Sequence, residues 1–203
     1  MARETIAITQ DFINQCTEVL QEFGGARYAS FIFFIEEMLE VSSTCAETIA
    51  DRMMDRKDIR CSPYADTMIV KPDSARNVNY KNLDAFDAYV RVLLKEKAEK
   101  ETRMAYANKG KFPIDFSIYV SSGRIYYMLV YDNTFIQKYS IYERKQMDAA
   151  FDPVTLVVFP VGTNLKAVKM PKIQGQYMLA VVRKSKNGLT ECQISEIQGG
   201  ENK

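Results

Sequence analysis

Apolar side chains recur every three to four positions through the first third of the chain. Phe12, Ile13, Cys16, Val19, Leu20 and Phe23 form one such stripe, which predicts a helix over residues 9–23 stopped by Gly24 and Gly25. Phe31, Ile32, Ile35, Met38 and Leu39 predict a second helix over 28–40, and Phe33 and Phe34 make it apolar on more than one side, as a central helix is. A turn at 41–44 follows. Thr44 or Ser43 is placed to cap a third helix over 45–57, with Glu47 three residues after Thr44 as in a capping box. Cys45, Ile49, Met53 and Met54 would point inward, leaving Thr48, Asp51, Arg52, Asp55 and Arg56 outside. Two short β-prone runs, 59–61 and 67–70, surround a turn at 62–66, and a polar linker spans 72–79.

The second half changes period. Leu83, Phe86, Val90, Leu93 and Leu94 predict a long helix over 82–106, whose stripe fades after Leu94 into a solvated run of opposite charges at 95–101. Alternation then predicts a hairpin, 116–120 and 125–131 around a turn at 121–124. A weak helix is expected over 134–150, a buried strand over 154–160, and two closing strands over 177–183 and 189–194 around a turn at 184–188. Residues 198–203 should fray.

The order helix, tight turn, helix, β-hairpin in the first part is that of a winged helix-turn-helix. The fold class expected is therefore α+β: a helical winged-helix-like module over 1–76, a small α/β domain with a mixed sheet over 77–198, and a frayed tail over 199–203.

Composition narrows what such a chain can do. Hydrophobic residues make up 47% of the 203, enough for a real core, yet no run approaches the roughly 18–20 apolar residues of a membrane span. No apolar leader follows Met1, so the expectation is a soluble, cytoplasmic protein with no membrane partner. There is no histidine, which removes the commonest general base and metal ligand. The four cysteines, Cys16, Cys45, Cys61 and Cys192, lack the paired spacing of a zinc site and read as free buried thiols. With 27 basic and 26 acidic residues, binding to a polyanion would need a local patch rather than a global field. No phosphate-binding loop or dinucleotide fingerprint is present.

Three stretches carry a resemblance: Ala50-Asp51-Arg52-Met53-Met54 leading to Ile59-Arg60; Leu83-Asp84-Ala85-Phe86-Asp87-Ala88-Tyr89-Val90; and residues 111–118 leading into 124–131. In these the chain resembles a family of uncharacterised proteins from conjugative and other mobile elements of Gram-positive bacteria, related to the plasmid replication-relaxation proteins. The resemblance implies a winged helix joined to a domain similar to restriction-endonuclease-like folds, usually without an evident active site.

The candidate interface follows from the winged-helix order. The third helix would enter the major groove and the wing would touch the backbone, so Thr44, Thr48, Arg52, Arg56, Lys57 and Arg60 are the expected contacts to double-stranded DNA. Glu47, Asp51 and Asp55 would oppose the same polyanion. The expected role is a non-catalytic accessory or regulatory DNA-binding protein of a mobile element, with no cofactor and no metal. A protein that binds and blocks a host enzyme is the first alternative. The second is a Mg²⁺-dependent nuclease, because Asp132 follows a strand and Glu143-Arg144-Lys145 is an acid-x-Lys triplet. That triplet reads more easily as helix, which would part it from Asp132. Asp115 reads as a lone carboxylate ending a loop, and Tyr119, Tyr126, Tyr127 and Tyr131 as packing residues on the two faces of a hairpin.

Overall fold

A computed structural model of the protein describes residues 9–73, 78–100, 105–120, 123–146, 153–173, 176–185 and 190–198. The fold is α+β, and the chain divides into two compact units, Met1–Val78 and Asn79–Lys203.

In the first unit, helix α1 (Gln10–Phe23) begins where the Thr9 hydroxyl accepts from the Phe12 N–H at 3.2 Å. It ends at Gly24, whose φ of 77° closes the helix in the left-handed region. A two-residue strand follows, β1 (Ala26–Arg27), too short for any periodicity to announce. Gly25 just before it has φ 135°, and a Cβ there would stand 2.9 Å from the Val70 carbonyl oxygen, so the chain passes the backbone at Val70 only as glycine. Helix α2 (Tyr28–Leu39) buries Phe31, Ile32, Phe34 and Ile35.

Helix α3 (Ser43–Asp55) starts two residues earlier than its apolar pattern predicts, because Ser42 and not Thr44 or Ser43 is the cap: its hydroxyl accepts from the Cys45 N–H. Glu47 is thereby carried out of capping-box position. The helix closes when Lys57 turns to φ 64°, with the Lys57 N–H donating to Met54 O at 3.0 Å and Asp58 N–H to Met53 O at 2.9 Å. Strands β2 (Arg60–Tyr64) and β3 (Thr67–Lys71) form a hairpin whose turn is tighter than expected: Ser62, Pro63 and Tyr64 continue the strand, and Ala65, at φ 50°, takes the bend. Pro63 fits because β2 is an edge strand in the antiparallel order β1-β3-β2.

The second unit runs α4 (Tyr80–Lys100), β4 (Ala105–Lys109), β5 (Phe116–Val120), β6 (Ile125–Val130), α5 (Phe135–Gln146), β7 (Val154–Phe159), β8 (Gln176–Lys184) and β9 (Thr190–Gln198). The six strands lie in chain order in one mixed sheet. β6, β7 and β8 are parallel and the other neighbours antiparallel. Helix α5 is the crossover between β6 and β7. Two boundaries depart from the periodicity: α4 ends at Lys100, so that Tyr106 falls in β4 opposite Tyr119, and β9 continues to Gln198. The expected turn residues 121–122 and 186–188, the weak-helix end 147–150 and the tail 199–203 lie outside the described residues.

The two helices cover opposite faces of this sheet. Tyr126 reaches Glu96 of α4, while its neighbour Tyr127 meets the Tyr142 ring of α5 edge-on at 6.1 Å, and successive strand side chains point to opposite faces. β7 is consequently buried along its whole length, Val154-Thr155-Leu156-Val157-Val158-Phe159, and reads as a continuous apolar run for that reason. Its Thr155 is satisfied by the Tyr142 hydroxyl at 2.9 Å. Burying each large apolar side chain here contributes roughly 1.5–3 kcal/mol.

The charged end of α4 departs from the solvated run expected. Glu96 has no solvent exposure: it accepts from Tyr126 Oη and pairs with Arg124 at 3.1 Å. All four cysteines are free thiols, with Cys16 and Cys192 buried as expected but Cys45 and Cys61 half-buried. Among the described residues no helix is long and apolar enough to cross a membrane.

Candidate nucleic-acid interface

Helix α3 buries Ala46, Ile49, Ala50 and Met53 and so presents Thr44, Glu47, Thr48, Asp51, Arg52 and Asp55 to solvent. Arg56, Lys57 and Arg60 follow, also exposed. All six side chains expected to meet DNA are therefore on the surface, but they are not equivalent. Arg56 bends back, donating to Gln10 Oε1 at 2.7 Å and lying 3.1 Å from Asp58 Oδ2. Arg60 pairs with Asp73. Arg52 and Lys57 have no ion pair or side-chain hydrogen bond among the described residues.

Acids and cations share this surface in adjoining rows. Burial, then the charges of Asp51 and Glu47, push the Tyr28 phenol above its usual range. Thr48 and Arg52 continue the row from Thr44 at one-turn intervals, next to the row of Glu47, Asp51 and Asp55. The Thr48 hydroxyl donates to the Thr44 carbonyl at 2.9 Å, the back-bond available to a helical threonine.

In the second unit the acid-x-Lys reading comes apart. Glu143 and Arg144 lie on α5, with Arg144 Nε donating to the Ser140 carbonyl at 3.2 Å. Asp132 is joined instead by Asp115, which is not a lone loop carboxylate. Asp115 stands just before β5, and its Oδ2 accepts from the Val130 N–H at 2.8 Å. Lys138 of α5 sits between the two acids, 2.9 Å from Asp115 Oδ1 and 3.3 Å from Asp132 Oδ2, and Lys81 of α4 reaches Asp132 at 2.8 Å.

The Asp132 charge is well compensated. Burial opposes it, but hydrogen bonds from Lys81 and from the Thr134 hydroxyl and N–H, with Lys138 nearby, hold its carboxyl well below the usual carboxylate range. Lys81 and Lys138 are the partners that sequence reading missed. Asp115 to Lys138 spans a strand pair and a helix start, and no short-range spacing announces it. Among the described residues no group of three or more His, Cys, Asp or Glu side chains could hold a metal ion. The arrangement is an ionic brace across β5, β6, α4 and α5.

No protein-family model, curated protein or solved structure matches this chain.

Proposed function

We propose that the first unit is a winged helix that binds duplex DNA, and that the protein is a non-catalytic accessory or regulatory DNA-binding protein. The observation that carries this reading is the order α1-β1-α2-α3-β2-β3, with the hairpin strand β3 between β1 and β2. That topology supports α3 as the groove-entering helix and the β2–β3 hairpin as the wing. It is supported further by α3 having one unburied side, with two cations, Arg52 and Lys57, not engaged among the described residues.

The mixed charge of the face sets its behaviour. Glu47, Asp51 and Asp55 repel phosphates and few cations neutralise them, so non-specific affinity should be low and should fall with salt by only about one log unit per log unit of salt for each phosphate engaged. Fluorescence anisotropy of a labelled random-sequence duplex with the full chain, at low and at physiological salt, tests the reading. Binding at low salt that weakens with salt and with Arg52→Ala is the expected result. Duplex that is not bound at low salt by a correctly folded chain refutes it.

A further inference from the structure

We infer that Thr48 is a specificity-determining residue of α3, selecting a thymine·adenine pair at the position it faces; this rests on the duplex reading above. Thr48 lies in the N-terminal half of the helix, the half that meets base edges when such a helix enters a major groove. It is exposed, and it stands between Thr44 and Arg52 at one-turn steps, with Asp51 and Asp55 in the adjoining row.

Its hydrogen bond fixes what it offers. Because the hydroxyl proton is given to the Thr44 carbonyl at 2.9 Å, the side chain presents outward only lone pairs and a methyl group. A guanine edge shows two acceptors, N7 and O6, and would put lone pair against lone pair, and its cytosine offers an N4 amine but no methyl group, so the methyl contact is what discriminates. A thymine C5-methyl packs against the threonine methyl, and the adenine N6 amine of the same pair supplies a donor to the oxygen. The neighbouring Arg52 is a donor-only group and takes the opposite kind of edge, guanine or phosphate. The row therefore reads as an acceptor followed by a donor one turn later.

Selection of duplexes from a randomised library by the full-length protein tests this, using wild type, Thr48→Val, Thr48→Ser and Thr48→Ala, each checked for an unchanged thermal melt. Wild type should enrich thymine·adenine at one position by roughly tenfold over guanine·cytosine. Thr48→Val, which keeps methyl groups, should retain the thymine preference; Thr48→Ser should weaken it several-fold, and Thr48→Ala should lose it. If wild type retains duplex but the Thr48→Ala pool has the wild-type composition, this inference fails while the duplex reading stands. If wild type retains no duplex at low salt, both fail.

Discussion

The Glu96 carboxylate of α4, wholly enclosed, lies 3.1 Å from Nη1 of Arg124 at the start of β6. The pair links the far end of a long helix to the sheet beneath it, and Tyr126 completes it by donating to the same Glu96 oxygen. Burial, together with the hydrogen bond to Glu96 and its charge, raises the Tyr126 phenol far above its usual range, so it remains a donor at any working pH.

Breaking this pair from either side should have unequal consequences. Glu96→Ala leaves Arg124, which reaches solvent, and should cost about 3 kcal/mol. Arg124→Met removes this cation from beside the enclosed Glu96 and should cost more. In that variant the folded-state carboxyl pKa rises above its unfolded value near 4.3. Its stability is then fully present below that value and lost as pH rises. Urea melts at pH 5 and pH 8 check this: Arg124→Met should lose ground at pH 8 relative to wild type, and parallel behaviour would contradict the assignment.

Asp132 gives the reverse pH dependence. Its folded-state pKa is depressed, so it contributes stability that is present above the unfolded value near 3.9 and is lost as pH falls below it. Wild type should therefore destabilise on acidification below about pH 4. Asp132→Asn should be less stable at pH 7 but flatter in the acid limb. Denaturant midpoints from pH 7 to pH 3 measure it, and an unchanged acid limb in the variant would count against the brace.

Lys57 combines a strained backbone position with, on the proposed reading, a cation for duplex DNA. Its φ of 64° is a position where a Cβ is strained, and its side chain is exposed. Lys57→Gly should stabilise the first unit by about 1 kcal/mol while weakening duplex binding, because strain and one cation are removed together. Lys57→Asn should keep most of the stability gain, since asparagine tolerates this region. A thermal melt and a binding titration of the same variants report the two effects.

What was legible in the sequence, and what was not, divides along physical lines. The stripes of α1 and α2 and the apolar run of β7 encode burial directly, because one element's face decides their pattern. The α3 cap lies one or two residues before the expected Ser43 or Thr44, since Ser42, Ser43 and Thr44 are all competent caps and only the chain's path selects one. β1 is invisible because pairing with β3, not propensity, makes it a strand. The end of α4 was misjudged because a Glu amid lysines reads as solvated, while Arg124 and Tyr126, some thirty positions later, supply what lets Glu96 be buried. The outward side of α3 was legible from spacing. That Arg56 and Arg60 would be drawn to Asp58 and Asp73 was not, as both acids lie past the helix end.

On the proposed duplex-binding reading, those two ion pairs make the salt dependence of binding a measure of which cations engage DNA. Each phosphate neutralised contributes a slope of about −0.9 to log K against log salt. Arg52 is not paired among the described residues, so Arg52→Ala should reduce the slope by about one. Arg56 and Arg60 already have carboxylate partners, and exposed pairs of this kind are worth only about 0–1 kcal/mol. A phosphate can outcompete them, but the gain is reduced by the pair lost. Arg56→Ala and Arg60→Ala should therefore each lower affinity less than Arg52→Ala does. Asp58→Asn and Asp73→Asn should raise affinity and steepen the slope by freeing the arginines. Titrations of the five variants across salt concentration decide it: equal effects of all three arginine variants would mean that the pairs dissolve on binding, and no effect of Arg52→Ala would remove α3 from the interface.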